Sequence, residues 1–194
     1  MRLSAVLADI RAFLVSHPGE VLVIVVEDGA APQDFVAQVR SAGLEDFVYR
    51  GPITSPWPTL RTMIAGGQRL VLLAERHGGG APWLRPAFAA IQETPYTFKS
   101  AAALTDPARL SASCVPNRGE PGASLLQINH WVDTSPAPRP SNADRVNAHA
   151  ALLQRVRACE AQRGRRANVV AVDFYRHGDL FGVVDELNGV SGPR

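Results

Sequence analysis

The sequence has no apolar run long enough to cross a bilayer and no strong excess of charge of either sign. Its longest apolar run, VLVIVV (residues 21–26), is far shorter than the ~20 residues that a membrane helix needs. The formal net charge of +2 is too small to indicate a partner such as nucleic acid. Hydrophobic residues make up 46% and charged residues 20% of the 194 residues, which is typical of a globular domain. We therefore expect a single domain over residues 1–194, and neither a membrane protein nor a disordered chain.

Several catalytic motifs are also missing. No GxGxxG or GxxxxGK[ST] motif follows a predicted strand, which argues against a nucleotide-binding doubly wound fold. The HGGG stretch (residues 77–80) is similar to the oxyanion loop of esterases, but the chain has no GxSxG nucleophile elbow. We therefore interpret HGGG as a flexible loop. No histidine pair has metal-ligand spacing, so a zinc site is not expected.

Cysteine and local charge leave two questions open. The only cysteines, Cys114 and Cys159, could form one disulfide in an oxidising compartment, or both could be free. The locally basic stretch RVRACEAQRGRR (residues 155–166) predicts a solvated helix end, with contact to phosphate or an anionic surface as the alternative. At the N-terminus, LSAVLADIRAFL is amphipathic and does not resemble a signal peptide.

Along the chain, patterns typical of helices alternate with patterns typical of strands. Helices are predicted at the N-terminus and at about residues 32–42, 58–65, 142–162 and 180–188, and strands at about residues 21–28, 69–76, 88–93, 124–129 and 169–174. Alternating helices and strands indicate a parallel sheet. The strand VLVIVV is apolar on both faces, which is typical of a sheet covered on both sides.

We predict an incomplete TIM-like (β/α) barrel of about five parallel strands with crossover helices. Five strands do not close an eight-stranded barrel, and the first helix has no strand before it. We therefore expect that strands are absent upstream, and that VLVIVV and VVAVDF form open sheet edges.

Polar residues follow the predicted strands, at the end where parallel sheets and barrels carry their chemistry. They are Glu27, Glu75, Glu93, Asn129, His130, Asp173 and Tyr175. A pair of these acids would also suit a glycoside hydrolase. Alternatively, Glu75 or Glu93 pairs with an arginine such as Arg76 or Arg118 for structural reasons. Of the histidines, only His130 and His177 are expected near a site, and a strand-end histidine such as His130 is as often bonded within the fold.

The combined order of several stretches is more specific than any one of them. They are HPGEVLVIVVED, WPTLRTMIAGGQRLVLLAER, IQETPYTF, CVPNRG, LLQINHW and NVVAVDFYRHGDLFGVVDELNG. In this order, across nearly the whole chain, they resemble the phosphatidylinositol-specific phospholipase C-like phosphodiesterases. The resemblance implies a TIM-like barrel. It also implies cleavage of a phosphodiester by a neighbouring inositol hydroxyl, assisted by two histidines as general base and general acid.

The resemblance also assigns roles to individual residues. It places both catalytic histidines on strands that precede Met1, and it implies that Asp173 orients and charges the base histidine. Glu27 falls where calcium-using members carry a glutamate that ligates the ion, so the cofactor is either Ca²⁺ or none. Glu75 falls where some members carry an inositol-binding arginine, a contact that the adjoining Arg76 can make. Glu93 matches an acid that binds inositol hydroxyls, and the weaker candidates for the same pocket are Tyr96, Asn129, His130 and Tyr175.

These observations lead to a ranked set of functional hypotheses. The first is a phosphodiesterase acting on a phosphoinositide or related lipid head group, with a transient membrane contact in a full-length form and no nucleic acid partner. This chain alone would then be nearly inactive. The second is a non-catalytic barrel remnant that binds inositol or phosphate, and the third is a glycoside hydrolase. Relatives of this kind are often secreted, but the localisation of this chain stays open.

Overall fold

The computed structural model describes residues 2–27 and 29–190. The chain divides into two compact units, Met1–Ala90 and Ile91–Arg194. Each unit contains an open three-stranded sheet in which all described strand pairs are parallel. The α/β class with parallel strands is therefore confirmed. Neither sheet closes on itself, so the described strands do not form a closed barrel.

The first unit packs helices against one face of its sheet. Its helices are α1 (Leu3–Ser16), α2 (Pro32–Ser41), α3 (Leu60–Ala65) and α4 (Ala87–Ala90), and its strands are β1 (Leu22–Val26), β2 (Leu70–Ala74) and β3 (Arg85–Pro86). The strand order is β1-β2-β3, with Val26 opposite Ala74. Leu7 and Leu14 of α1 join Phe35 and Val39 of α2 in a core against the sheet. The amphipathic pattern of the first helix thus reflects a real buried stripe.

The prediction that β1 is covered on both faces is wrong. Leu22, Ile24 and Val26 pack on the core, whereas Val23 and Val25 are 49% and 42% exposed. An apolar run shows that a strand can be buried on both sides, but it does not show what covers each side. The prediction that this strand is a sheet edge is confirmed, since β1 pairs only with β2 among the described strands.

The second unit is built around the strand order β4-β5-β6. Its strands are β4 (Ile91–Glu93), β5 (Leu125–His130) and β6 (Val169–Val172), and its helices are α5 (Ala102–Thr105), α6 (Leu110–Ser113), α7 (Pro140–Val146), α8 (His149–Arg163) and α9 (Leu180–Asn188). The register places Glu93 opposite Gln127 and His130 opposite Val172. Leu126 and Ile128 of β5 pack against Leu152 and Val156 of α8. β6 is the second predicted sheet edge, which is also confirmed.

Several predicted boundaries need correction. Residues 88–90, assigned to a strand, belong to the helical turn Ala87–Ala90, and the strand itself begins at Ile91. The third helix begins at Leu60 rather than Pro58, because the Thr59 hydroxyl accepts a hydrogen bond from the Thr62 amide and caps the helix there.

The single long helix predicted at about residues 142–162 is broken into α7 and α8 at Asn147 and Ala148. Ala150, which one continuous helix would place on the inward face with Val146, is exposed. Asn147 itself is fully buried. The sequence contains no glycine or proline at this point to indicate the break.

Cys114 and Cys159 form a disulfide that links the end of α6 to α8, with Cα atoms 4.9 Å apart. Both cysteines are fully buried in the core of the second unit. Of the two states that the sequence left open, the paired one is therefore present. None of the described helices is long and apolar enough to cross a bilayer.

Candidate functional site

Glu93, the last residue of β4, lies at the centre of a buried hydrogen-bond network. Its Oε1 accepts hydrogen bonds from Asn117 Nδ2 at 3.0 Å and Arg118 Nε at 2.5 Å. Its Oε2 accepts from an Arg118 NH2 group at 3.2 Å and from Asn129 Nδ2 at 2.9 Å. A carboxylate has about four lone-pair positions, and these four donors fill them. The structural alternative predicted from the sequence, an ion pair between Glu93 and Arg118, is confirmed.

Asn129 and Tyr96 complete this network on two sides. Asn129 Nδ2 also donates to the Thr94 carbonyl at 2.8 Å, and its Oδ1 accepts from Gln127 at 2.8 Å. The Arg118 guanidinium lies 4.6 Å from the centre of the half-buried Tyr96 ring. The side chain of Arg118 is 38% exposed, so the network has one cationic group that reaches solvent. Three predicted site residues, Glu93, Asn129 and Tyr96, are thus brought together by Arg118.

Asp173 directly follows β6 and is half-buried. Burial raises the pKa of its carboxyl group above the ordinary value of 3.8. Its main-chain carbonyl accepts a hydrogen bond from Asn147, but its carboxylate has no hydrogen-bond partner among the described residues. The next residue, Phe174, has a φ of 49°, a conformation that bulky residues rarely adopt. Tyr175 is 50% exposed, and its hydroxyl accepts a hydrogen bond from Arg176 Nε.

His130, at the end of β5, is fully buried beside Arg155 of α8. Its Nε2 donates to the Val146 carbonyl at 2.8 Å, and its Nδ1 accepts from Arg155 at 3.2 Å. Because one partner is an acceptor and the other a donor, the ring is the neutral Nε2–H tautomer. Burial, with Arg155 beside it, lowers the pKa of His130 to about 3. The substrate contact predicted for His130 stays a prediction, and it would require one of these two bonds to be exchanged.

Arg155 is itself fully buried and has no carboxylate partner among the described residues. It donates to the hydroxyl and the carbonyl of Ser113 and to the Asn129 carbonyl, all at 2.8–2.9 Å, and lies over the Phe98 ring. Burial lowers its pKa to about 9. The guanidinium therefore joins β5, α6 and α8 through neutral acceptors.

Three functional neighbours were missed in the sequence: Asn117, Arg155 and Asn147. Asn117 belongs to the CVPNRG stretch, which carried part of the resemblance without a role for each residue. Arg155 is the first residue of the basic stretch 155–166, which as a whole was interpreted as a solvated helix end. For Asn147, nothing in the local sequence signals a contact with the loop after β6.

In the first unit, the structure brings two predicted residues to the same edge of the sheet. Glu27 and Glu75 follow paired strands, and the Glu75 amide donates to the Val26 carbonyl at 2.8 Å. Glu27 is exposed, Glu75 is half-buried, and the neighbouring Arg76 is exposed. The roles predicted for these three residues stay predictions.

Glu27 alone does not make up a calcium site. Ca²⁺ takes six to eight oxygen ligands in proteins. Within residues 2–27 and 29–190, no group of three or more histidine, cysteine or acidic side chains could hold a metal ion. No such group surrounds Glu27 within the described residues, and its role as a calcium ligand stays a prediction.

The fold and the strand-end residues define an α/β protein with parallel strands whose polar groups lie at the carboxyl ends. Residues 2–188 match the model of the PI-PLC X family (PI-PLC X 1). This match covers nearly the whole chain, so the chain belongs to the PI-PLC X family. The family resemblance inferred from the sequence is confirmed.

Two curated proteins are similar to the chain. PI-PLC X domain-containing protein 1 of Arthroderma benhamiae is 26% identical over 205 residues, covering 96% of this chain and 65% of that protein. A PI-PLC X domain-containing protein of Arabidopsis thaliana is 26% identical over 209 residues, covering 97% of this chain and 44% of that protein. The chain thus spans less than two thirds of either relative. No solved structure gives a significant match.

Proposed function

We propose that the chain is the carboxyl-terminal part of a phospholipase C-type phosphodiesterase with a TIM-like barrel, and that Asp173 is the carboxylate partner of its general-base histidine. One observation carries this proposal. Asp173 is a half-buried carboxylate at the carboxyl end of a parallel strand, without a hydrogen-bond partner among the described residues. A buried carboxylate of this kind orients an imidazole and stabilises its charged form.

In the proposed reaction, an inositol hydroxyl attacks the neighbouring phosphorus while one imidazole removes its proton and another protonates the leaving oxygen. The family resemblance assigns both imidazoles to strands ahead of Met1. His130 does not suit the role of the base, because it is fully buried and both its ring nitrogens are engaged. Asp173 would accept the N–H of the base and so fix its tautomer and orientation.

The head group in this proposal is a phosphoinositide or a related phospholipid, reached at a membrane surface in the full-length form. Glu93 would act mainly by orienting Arg118 and Asn129, since its own lone pairs are filled. The partly exposed guanidinium of Arg118, held between Glu93 and Tyr96, is suited to a phosphate or a hydroxyl. No step of the proposal uses a metal ion.

The test has a genetic and an enzymatic part. We expect the reading frame upstream of the Met1 codon to continue into two strand-like segments, each ending in histidine. In the protein made from that frame, Asp173→Asn should lower kcat on phosphatidylinositol vesicles by ~10²-fold or more. The exposed Asp46 provides the control, and Asp46→Asn should leave kcat unchanged. A stop codon upstream, or full activity of Asp173→Asn, would contradict the proposal.

A non-catalytic binding role is the second candidate, and the Glu93 network favours it. All four donors to Glu93 belong to the second unit, so this group needs nothing from upstream. A binder should release heat with inositol 1-phosphate in calorimetry, and Arg118→Gln should abolish that heat. Binding without turnover in the full-frame protein would favour this candidate over the enzyme.

A further inference from the structure

Asn147, at the break between α7 and α8, is tied to the segment that carries Asp173. Its Nδ2 donates to the carbonyl of Asp173 at 3.0 Å and to the carbonyl of His177 at 3.2 Å. Both partners are acceptors, so the orientation of the amide is fixed by its contacts. Asn147 is fully buried, although it interrupts what would otherwise be one continuous helix.

The main chain of Asn147 contacts the same segment. Its carbonyl accepts a hydrogen bond from the Asp179 amide at 2.9 Å. Gly178 has a φ of 84°, and a Cβ added there would lie 2.4 Å from the Asn147 carbonyl oxygen. Only glycine allows this close approach in this backbone conformation. The segment 173–179, which also includes Phe174 in the left-handed region, therefore wraps around Asn147.

The remaining atom of the amide has no such partner. Asn147 Oδ1 is buried and accepts no hydrogen bond from the described residues. Asn147 and Asp173 line the same cavity of about 10 Å³, beside Asn142 and Val146. A buried acceptor without a donor destabilises the folded state. Asn147 thus joins the segment 173–179 to the cavity that Asp173 also lines.

We propose that Asn147 is the positioning residue for Asp173: it fixes the turn after β6 so that the carboxylate stays at the cavity that both residues line. This inference rests on the proposed function for its catalytic meaning. Asn147 itself touches no reacting atom in this assignment and acts only through Asp173.

The test is an NMR titration of the Asp173 carboxyl carbon in the 194-residue chain. In Asn147→Ala the segment 173–179 loses both side-chain hydrogen bonds, so Asp173 should become more exposed and its pKa should fall toward 3.8. The matched control is Asn142→Ala, which removes an amide from the same cavity but no hydrogen bond to this segment. The control should titrate as the wild type. A folded Asn147→Ala protein in which Asp173 titrates unchanged would overturn the proposal.

A second measurement needs no variant. The side-chain NH₂ of Asn147 and the amide of Asp179 should exchange slowly with solvent in the wild-type chain, because both are bonded in the buried turn. Fast exchange of both groups would also overturn the proposal. If the enzyme assignment is wrong but Asn147 does position Asp173, the result is different. Asp173→Asn would then keep full turnover, while Asn147→Ala would still change the titration of Asp173.

Discussion

At the residue scale, Glu93 shows how a strand-end acid can stabilise a site without contacting solvent. We predict that Glu93→Gln lowers the free energy of unfolding by about 2–4 kcal/mol. The glutamine amide would present a donor to groups that are themselves donors, and Arg118 would lose its carboxylate partner. Urea unfolding followed by circular dichroism measures the change. Glu120→Gln, at an exposed acid of the same unit, should leave the unfolding curve within error. Equal stability of the two variants would contradict the central role of Glu93.

His130 predicts a dependence of stability on pH. Its folded pKa of about 3 lies below the ordinary value of 6.5, so the unfolded state binds a proton that the folded state does not. Stability should be fully present above pH 6.5 and fall as the pH drops toward 3, by up to ~1.4 kcal/mol per pH unit. The imidazole shifts of His130 should remain those of the neutral Nε2–H ring at pH 5. A protonated His130 in the folded protein at pH 5 would contradict this.

The sequence located Glu93 and Asp173 because a charged residue that ends an apolar strand is conspicuous. It could not show how their surroundings differ. Glu93 has four donors around it, whereas the Asp173 carboxylate has none among the described residues. Arg155 was read as a solvated residue of a basic stretch, because an arginine on a helix is usually exposed. Its burial depends on Ser113, which is 42 residues away in sequence.

At the scale of elements, five of the six described strands were predictable because their apolar runs are short and bounded by turn residues. The two-residue strand β3 (Arg85–Pro86) was missed, because it has no apolar run of its own. The break at Asn147 was not predictable, because Val146, Leu153 and Val156 are spaced in the sequence as they would be along one continuous helix. The contacts that stabilise the break come from the segment 173–179, so only the tertiary fold determines it.

The disulfide between α6 and α8 gives a prediction for these elements. Cys114 and Cys159 are separated by 45 residues in sequence, and in the chain-entropy model a loop of this length contributes about 4 kcal/mol. Reduction should therefore lower the denaturant midpoint, and Cys114→Ala with Cys159→Ala should match the reduced wild type. Ellman titration of the unfolded, unreduced chain should find no free thiol. Two free thiols, or a midpoint insensitive to reductant, would contradict the prediction.

At the scale of the whole molecule, membership of the PI-PLC X family could be inferred because the order of many weak stretches is specific. Whether the strands close into a barrel could not be inferred from the sequence, since strand count and alternation do not determine closure. The two described sheets are open and three-stranded. Exposed sheet edges and faces follow from this arrangement, and they determine how the isolated chain should behave in solution.

Val23 and Val25 place two adjacent apolar side chains on the open face of an edge strand, where they are 49% and 42% exposed. Such a surface favours association between copies of the isolated chain. We predict that replacing both with threonine, which has a similar shape and β propensity, shifts the chain toward monomer in sedimentation velocity at rising concentration. Val15→Thr is the control, because Val15 is 56% exposed but lies singly on α1. If the double variant and the control sediment identically to the wild type, the exposed face of β1 does not drive association.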